Sequence, residues 1–452
     1  MNRSTRLWRS IAAVGVAALV LAACGGDDSD EPSDDDGPVA EETDEPGDDD
    51  PEDPGDDPGA GEYEPAEGDP ALTIGTLLPQ SGTLAFLGPP MTTGAELAAA
   101  DINEAGGIDG APVELVNADE GDDSLNIVGA SADSLINQEV DAILGAAATG
   151  MSQRVYSQIT GAGILQISPS NTGVIVSDWD TGGLYFRTAP SDLLQGEILG
   201  EVILEDGHET LGILYLDNPY GEGLATSLAE TAEAGGVEVV HNSAIAERSE
   251  SYSAEVSGLA AESPDAIAVI TYDDIYAIVP ELERAFDSLD NLYLVDGNTK
   301  NLSEGPTPDE PGLPEGVVEG ATGTIPGQSV EGTPFGERLL EITPDLDSYT
   351  YAGEAYDAIV LVALAAIQAG SSDGQDIAAE MASVSGGGGT ACSSFVECKQ
   401  LIEAGEDVNY DGISGPIEFD DNGDPQSAYI GIYDFDADNA PQFREARTLD
   451  VD

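Results

Sequence analysis

Leu72-Thr73-Ile74-Gly75-Thr76-Leu77-Leu78 is a short apolar run, followed by a helix-like stretch around 94–104 that Gly106-Gly107 stops and by a second strand-like run at 113–117. Strand, helix and strand in that order make one βαβ unit. The unit then recurs. A helix near 125–138 leads to a strand at 142–144, a helix after Ser152 to a strand at 164–167, and a helix at 193–204 to a strand at 211–216. Helices near 223–234, 254–261 and 275–286 alternate with strands at 237–240, 266–270 and 292–295. This rhythm predicts an α/β fold of parallel sheets wrapped by helices, which bind ligands in loops at the carboxyl ends of their strands. The loops just after the strands are where a site is expected.

Toward the N-terminus the chain changes character. Arg3, Arg6 and Arg9 precede an apolar run at 11–21 that is too short to span a bilayer, and Leu21-Ala22-Ala23-Cys24 closes it. Residues 1–23 read as an export signal. Residues 24–70 contain Asp, Glu, Gly and Pro almost to the exclusion of large apolar side chains, with Asp34-Asp35-Asp36 and Asp48-Asp49-Asp50 as charge runs. Such a segment cannot build a core, and it is expected to be an extended, disordered tether that holds the domain at 71–452 off a membrane surface. The Leu-Ala-Ala-Cys ending resembles the lipobox of bacterial lipoproteins, which implies that Cys24 is acylated and anchors the protein.

The chain carries 89 acids against 12 bases. Of these, 22 acids and three bases precede residue 71, leaving 67 acids against nine bases and a net charge of −58 for the folded part. A nucleic-acid partner is excluded on charge. Self-repulsion of this size is relieved as the Debye length falls from about 10 Å at 0.1 M salt to about 3 Å at 1 M, so the sequence reads as salt-adapted. Cys392 and Cys398 are the remaining cysteines, and export to an oxidising compartment makes a disulfide between them the expectation. The two histidines, His208 and His241, lie in turn-like and strand-like contexts and leave Ser-His and Cys-His catalysis without parts. Asp407, Asn409, Asp411, Gly412 and Glu418 match the letters of a calcium loop. Pro416 and a strand-like 417–419 stand where an exiting helix is needed, however, so the reading is a polar loop with no metal and no cofactor.

Leu77-Leu78-Pro79-Gln80-Ser81-Gly82, Gly88, Thr93-Gly94-Ala95, Asp101-Ile102-Asn103 and Gly106-Gly107-Ile108 together look like the opening of the leucine/isoleucine/valine-binding proteins of ABC transporters. Gly145, Thr149-Gly150, Gly163-Ile164, Ile167-Ser168-Pro169, Asn218-Pro219-Tyr220-Gly221-Glu222-Gly223 and Asp296-Gly297 continue the match in order. The resemblance implies a type I periplasmic-binding-protein fold, two doubly wound parallel-sheet lobes joined by a three-crossing hinge. It places the crossings near 188–192, 321–324 and Asp411. Lobe one is then 71–190 plus 325–410, and lobe two 191–324 plus 411–452, with a terminal hairpin of 417–419 and 428–434 turning at Asp420-Asp421-Asn422-Gly423-Asp424.

The resemblance also assigns roles. Thr149, with Gly150 at a helix start, would bind a ligand carboxylate together with the Thr172 hydroxyl and the Ser170 backbone. Tyr220 and Asp296 would face it from the other lobe, with Asp296 on the ammonium. Leu87, Ala147 and Ala148 would line the side-chain pocket, and a further pocket tyrosine is contested by Tyr272, Asp274 and Tyr276. The implied protein is a monomeric, lipid-anchored receptor, not an enzyme, that captures a branched-chain or other aliphatic amino acid and delivers it to an ABC permease. A receptor for urea or short amides is the alternative within the fold, and a secreted carboxylate hydrolase the alternative outside it.

Overall fold

The structure is a computed structural model. It describes Gly68 and residues 71–450 apart from 308 and 387, so the export signal, the tether and Cys24 lie outside the described residues. The first lobe opens with β1 (Leu72–Leu78), α1 (Gly88–Glu104), β2 (Val113–Asp119), α2 (Val128–Asn137), β3 (Ala142–Gly145), α3 (Thr149–Gly161), β4 (Leu165–Ser168) and β5 (Tyr185–Arg187). All five strands are parallel, in the order β2-β1-β3-β4-β5. The order reverses at β1, which opens a crevice at the strand ends there. β3 and β4 are buried along their whole length, because α2 and α3 cover one face of the sheet while the helices of the opposite face cover the other.

The second lobe takes α4 (Asp192–Glu205), β6 (Thr210–Leu216), α5 (Pro219–Gly235), β7 (Glu238–Ile245), α6 (Ser253–Glu262), β8 (Ala266–Ile270), α7 (Ile275–Ala285), β9 (Leu292–Leu294) and β10 (Thr322–Pro326). The chain returns to the first lobe for α8 (Pro334–Ile342), α9 (Ala352–Ala369), α10 (Gly374–Val384), β11 (Thr390–Cys392), α11 (Phe395–Glu403) and β12 (Val408–Tyr410), and ends with β13 (Ser427–Phe435) and β14 (Pro441–Asp450). The second sheet runs β14-β13-β10-β9-β8-β6-β7, with β13 antiparallel to both β10 and β14 and the other pairs parallel. α9 is long and apolar enough to cross a membrane by composition, but 83% of it is buried against α1, α10 and the first sheet, which makes it a core helix. Each fully buried Leu, Ile or Val on it contributes about 1.5–3 kcal/mol. Cys392 and Cys398 are joined, with Cα atoms 5.4 Å apart.

Several expected boundaries move. α1 and α5 start several residues earlier, at Gly88 and Pro219, because prolines stand in their first turns, where the missing N–H costs nothing. α3 starts at Thr149 rather than near Ser152. β10 stays paired to β13 as far as Pro326, so the second crossing follows Pro326 instead of falling at 321–324. The terminal hairpin is also different. β13 pairs with β14, a strand the sequence reading missed, while 417–425 is a loop held by a single bridge between Phe419 and Pro425. Phe419 packs edge-on to Phe186, and the Gly423 carbonyl accepts the Arg187 N–H at 3.0 Å, so this turn lies against β5 of the first lobe. In the calcium-like loop, Asp357 accepts the N–H groups of Ile413 and Ser414.

Candidate functional site

On the first lobe the cleft is built from the loops after β2, β3 and β4. Glu120 follows β2 directly, is fully buried, and accepts the N–H groups of Ala147 and Ala148. Burial pushes its carboxyl up to about 8, against the pull of those two bonds. Thr149 and Gly150 are the first two residues of α3, whose first-turn N–H groups have no partner within the helix. Thr149 is buried against Gly173, where an added Cβ would stand 2.4 Å from its methyl group, so only glycine fits at 173. In the loop after β4 the Ser168 hydroxyl accepts the Asn171 N–H, and the Thr172 carbonyl accepts the Asp192 N–H at 2.7 Å. The Ser170 hydroxyl donates to the Ala147 carbonyl.

The second lobe presents acceptors. Asp296, just past β9, receives the Tyr220 hydroxyl at 2.7 Å and the Gln195 amide at 3.2 Å on Oδ1, and the Tyr351 hydroxyl at 2.7 Å on Oδ2. Tyr351 reaches it from the first lobe, from the residue that precedes α9. Beside it stands Asp192, the first residue of α4, with both carboxylate oxygens buried and, among the described residues, no donor at hand but the Thr172 hydroxyl. Burial raises the Asp192 carboxyl well above its usual range and the Asp296 charge adds to this, while the Thr172 hydroxyl and Arg187 act the other way. Burial raises Asp296 as well, opposed by its bonds from Tyr220, Tyr351 and Gln195. Two neighbouring buried acids share the cost of charge, which an ammonium group would relieve. Burial and the Asp296 charge raise both the Tyr220 and Tyr351 phenols, so both act as donors.

Of the three residues that contest the pocket position, Tyr272 is the one packed on Tyr220, with ring centroids 5.3 Å apart. Asp274 accepts from Arg248 N–H and the Tyr252 hydroxyl, and Tyr276 donates to the Glu304 carbonyl beside a separate cavity of about 320 Å³. A second cavity, about 200 Å³, lies between the lobes and is lined by Leu84, Asp122, Ala148, Gly150, Glu247 and Tyr272 among others. Leu87 and Ala147 are buried and line neither cavity, and the same holds for Thr149, Ser170, Thr172, Tyr220 and Asp296. Tyr220 and Asp296 are in direct contact, and Thr172 reaches their cluster through Asp192. Sequence reading missed Glu120, Asp192, Gln195 and Tyr351. Only Glu120 carried a signal, as an acid three residues past the strand-like run at 113–117.

The lobes are closed on one another. Arg248 bonds Asp122 and Ser124 across the cleft, the Thr83 hydroxyl donates to Glu247 at 3.3 Å, and Lys300 Nζ sits 3.9 Å from the centre of the Phe86 ring. The amino-acid sequence matches the family described as periplasmic binding protein over residues 71–430. The chain belongs to the periplasmic binding protein family. The chemotactic signal transduction system substrate-binding protein BasB of Halobacterium salinarum is 28% identical to it over 371 residues, covering 79% of this chain and 86% of that protein. The Leu/Ile/Val/Thr-binding protein of Salmonella typhimurium is 26% identical over 373 residues, covering 79% and 89%. Among solved structures, the leucine-binding protein LivK of Thermotoga maritima superposes with a TM-score of 0.67 at 20% identity, covering 83% of this chain and 98% of that one. LivJ of Streptococcus pneumoniae in complex with isoleucine gives 0.67 at 21% identity, covering 84% and 99%. These likenesses uphold the resemblance and the type I fold of this periplasmic binding protein, and the relatives are solute-binding proteins.

Proposed function

We propose that this periplasmic binding protein is a non-enzymatic receptor that captures a zwitterionic α-amino acid outside the cytoplasm. The observation that carries the reading is the opposition of the cleft walls. One wall offers hydroxyls and the open N–H groups of Thr149 and Gly150 at the start of α3, and the other offers the neighbouring buried carboxylates of Asp296 and Asp192. A carboxylate suits the first wall, because Glu120, pushed up to about 8, is mostly protonated at neutral pH and adds little negative charge there. An ammonium suits the second. The names of the relatives make a branched-chain amino acid the first ligand to try. In this reading an acyl chain on Cys24 tethers the receptor to the cell membrane, the closed lobes hand their solute to an ABC permease, and the net −58 of the folded part suits a high-salt milieu. The name of the Halobacterium salinarum relative favours a second use of the same closed form, docking to a chemotaxis receptor.

Calorimetry in about 2 M NaCl, where surface charge is screened, tests the reading with leucine, isoleucine and valine, their desamino analogues, and urea. The amino acids should bind and the desamino acids should not. Equal binding of a desamino acid, or binding of urea alone, would turn the assignment toward a receptor for neutral polar solutes.

A further inference from the structure

Arg187, the last residue of β5, is fully buried, and all five of its guanidinium N–H donors are engaged. Nε and Nη2 grip the two carboxylate oxygens of Asp424 at 2.6 and 2.9 Å, and Nη2 also reaches the Ser177 hydroxyl at 3.3 Å. Nη1 donates to the carbonyls of Asn171 at 3.1 Å and Gly173 at 2.9 Å, the residues on either side of Thr172. The partner carboxylate comes from the turn at 420–424, on the third crossing between the lobes. That turn lies flush because Gly423 has φ +82° and an added Cβ would stand 2.4 Å from the Tyr185 carbonyl oxygen. The next residue, Thr188, starts the first crossing and donates to the Glu354 carbonyl, at the start of α9. Buried ion pairs stabilise poorly compared with apolar packing of the same volume, and their best-attested use is to fix register.

We infer that Arg187 is a positioning residue that ties the loop carrying Thr172 to the hinge, so that ligand seating and lobe closure are one event. The inference rests on the reading of Thr172 as a ligand residue. Asp424→Asn is the primary variant, since it keeps the shape and removes the charge, and Ser177→Ala is the milder companion should the first fail to fold. Two measurements decide. In hydrogen exchange on ligand-free protein, Asp424→Asn should accelerate exchange at 170–178, although the substitution lies on a distant part of the chain. In calorimetry with leucine, its affinity should fall about tenfold. The deficit should persist when salt is adjusted so that the variant and the wild type melt at the same temperature, which a purely structural role would not predict. Unchanged exchange at 170–178, affinity within twofold of the wild type, or a deficit erased at matched melting temperature overturns the inference. Should the wild type bind no amino acid, the functional reading falls while the exchange result still decides the role of Arg187.

Discussion

The cleft wall of the first lobe and that of the second are made from the same acid-rich chain, yet they present opposite chemistry. Around Thr149 the carboxyl of Glu120 is folded inward onto two backbone N–H groups and pushed up to about 8, so the surface left is hydroxyl and amide. Around Asp296 the polarity is reversed. Two phenols and an amide donate into one carboxylate, and a second carboxylate, Asp192, is buried beside it with the Thr172 hydroxyl at hand. Net charge therefore says little about a site. On the proposed reading, a chain with 89 acids makes an anion-accepting wall by burying a carboxyl and raising it to about 8, and a cation-accepting wall by setting two buried carboxylates side by side.

The largest effect is expected at Asp296. Asp296→Asn should leave a desolvated ammonium without its ion partner and weaken amino-acid binding by about 3 to 5 kcal/mol, measured by calorimetry at one high salt concentration. Unchanged affinity would mean that the acceptor wall does not hold the ligand. The donor wall is tested through Glu120. Its folded-state carboxyl is raised from 4.5 to about 8, so between those values the folded protein keeps a proton that the unfolded chain has lost. The penalty is absent below about pH 4.5 and grows as pH rises toward 8, at about 2.5 kcal/mol between pH 5 and pH 7. Glu120→Gln should therefore flatten the fall of the melting midpoint with pH. Parallel curves for the two proteins would show that Glu120 is charged in the folded state. Thr149→Ala removes one hydroxyl from the same wall and should weaken binding by about 1 kcal/mol without moving the melting midpoint of the ligand-free protein by more than a degree or two.

The α/β rhythm was legible because central parallel strands are buried on both faces and read as short apolar runs, Ala266–Ile270 being the clearest. β14 was not legible for the opposite reason. It is an edge strand carrying Arg444, Glu445 and Arg447, and its polarity is that of a strand facing solvent. The apolar letters of 417–419 misled in turn, because Phe419 pays its burial to Phe186 through a loop. Within the site, Tyr220 and Asp296 could be placed by their positions after strands and by resemblance. Asp192 and Tyr351 could not, since one acid or tyrosine among many is set apart only by burial, and that burial comes from segments distant in the chain, Asp296 lying 55 residues from Tyr351.

The smallest expected effect lies at the rim, where the walls meet without a ligand. Arg248 is 44% exposed at its side chain and bridges to Asp122, which is 7% exposed, so the pair is half in solvent and its worth is on the order of 0.5 to 1 kcal/mol. Both lobes are negative, so the closed form should repel itself most at low ionic strength, where this cation is one of few that can join them. Arg248→Gln should therefore raise the ligand off-rate two- to fivefold at about 0.1 M NaCl and change it little at about 2 M, where screening has already removed both the repulsion and the pair. Stopped-flow displacement at the two salt concentrations separates the cases. An off-rate change that is equal at both would show that Arg248 acts by shape, through its bond to Ser124, and not by charge. A loss beyond tenfold would place it among the ligand-holding groups and make the rim a third wall.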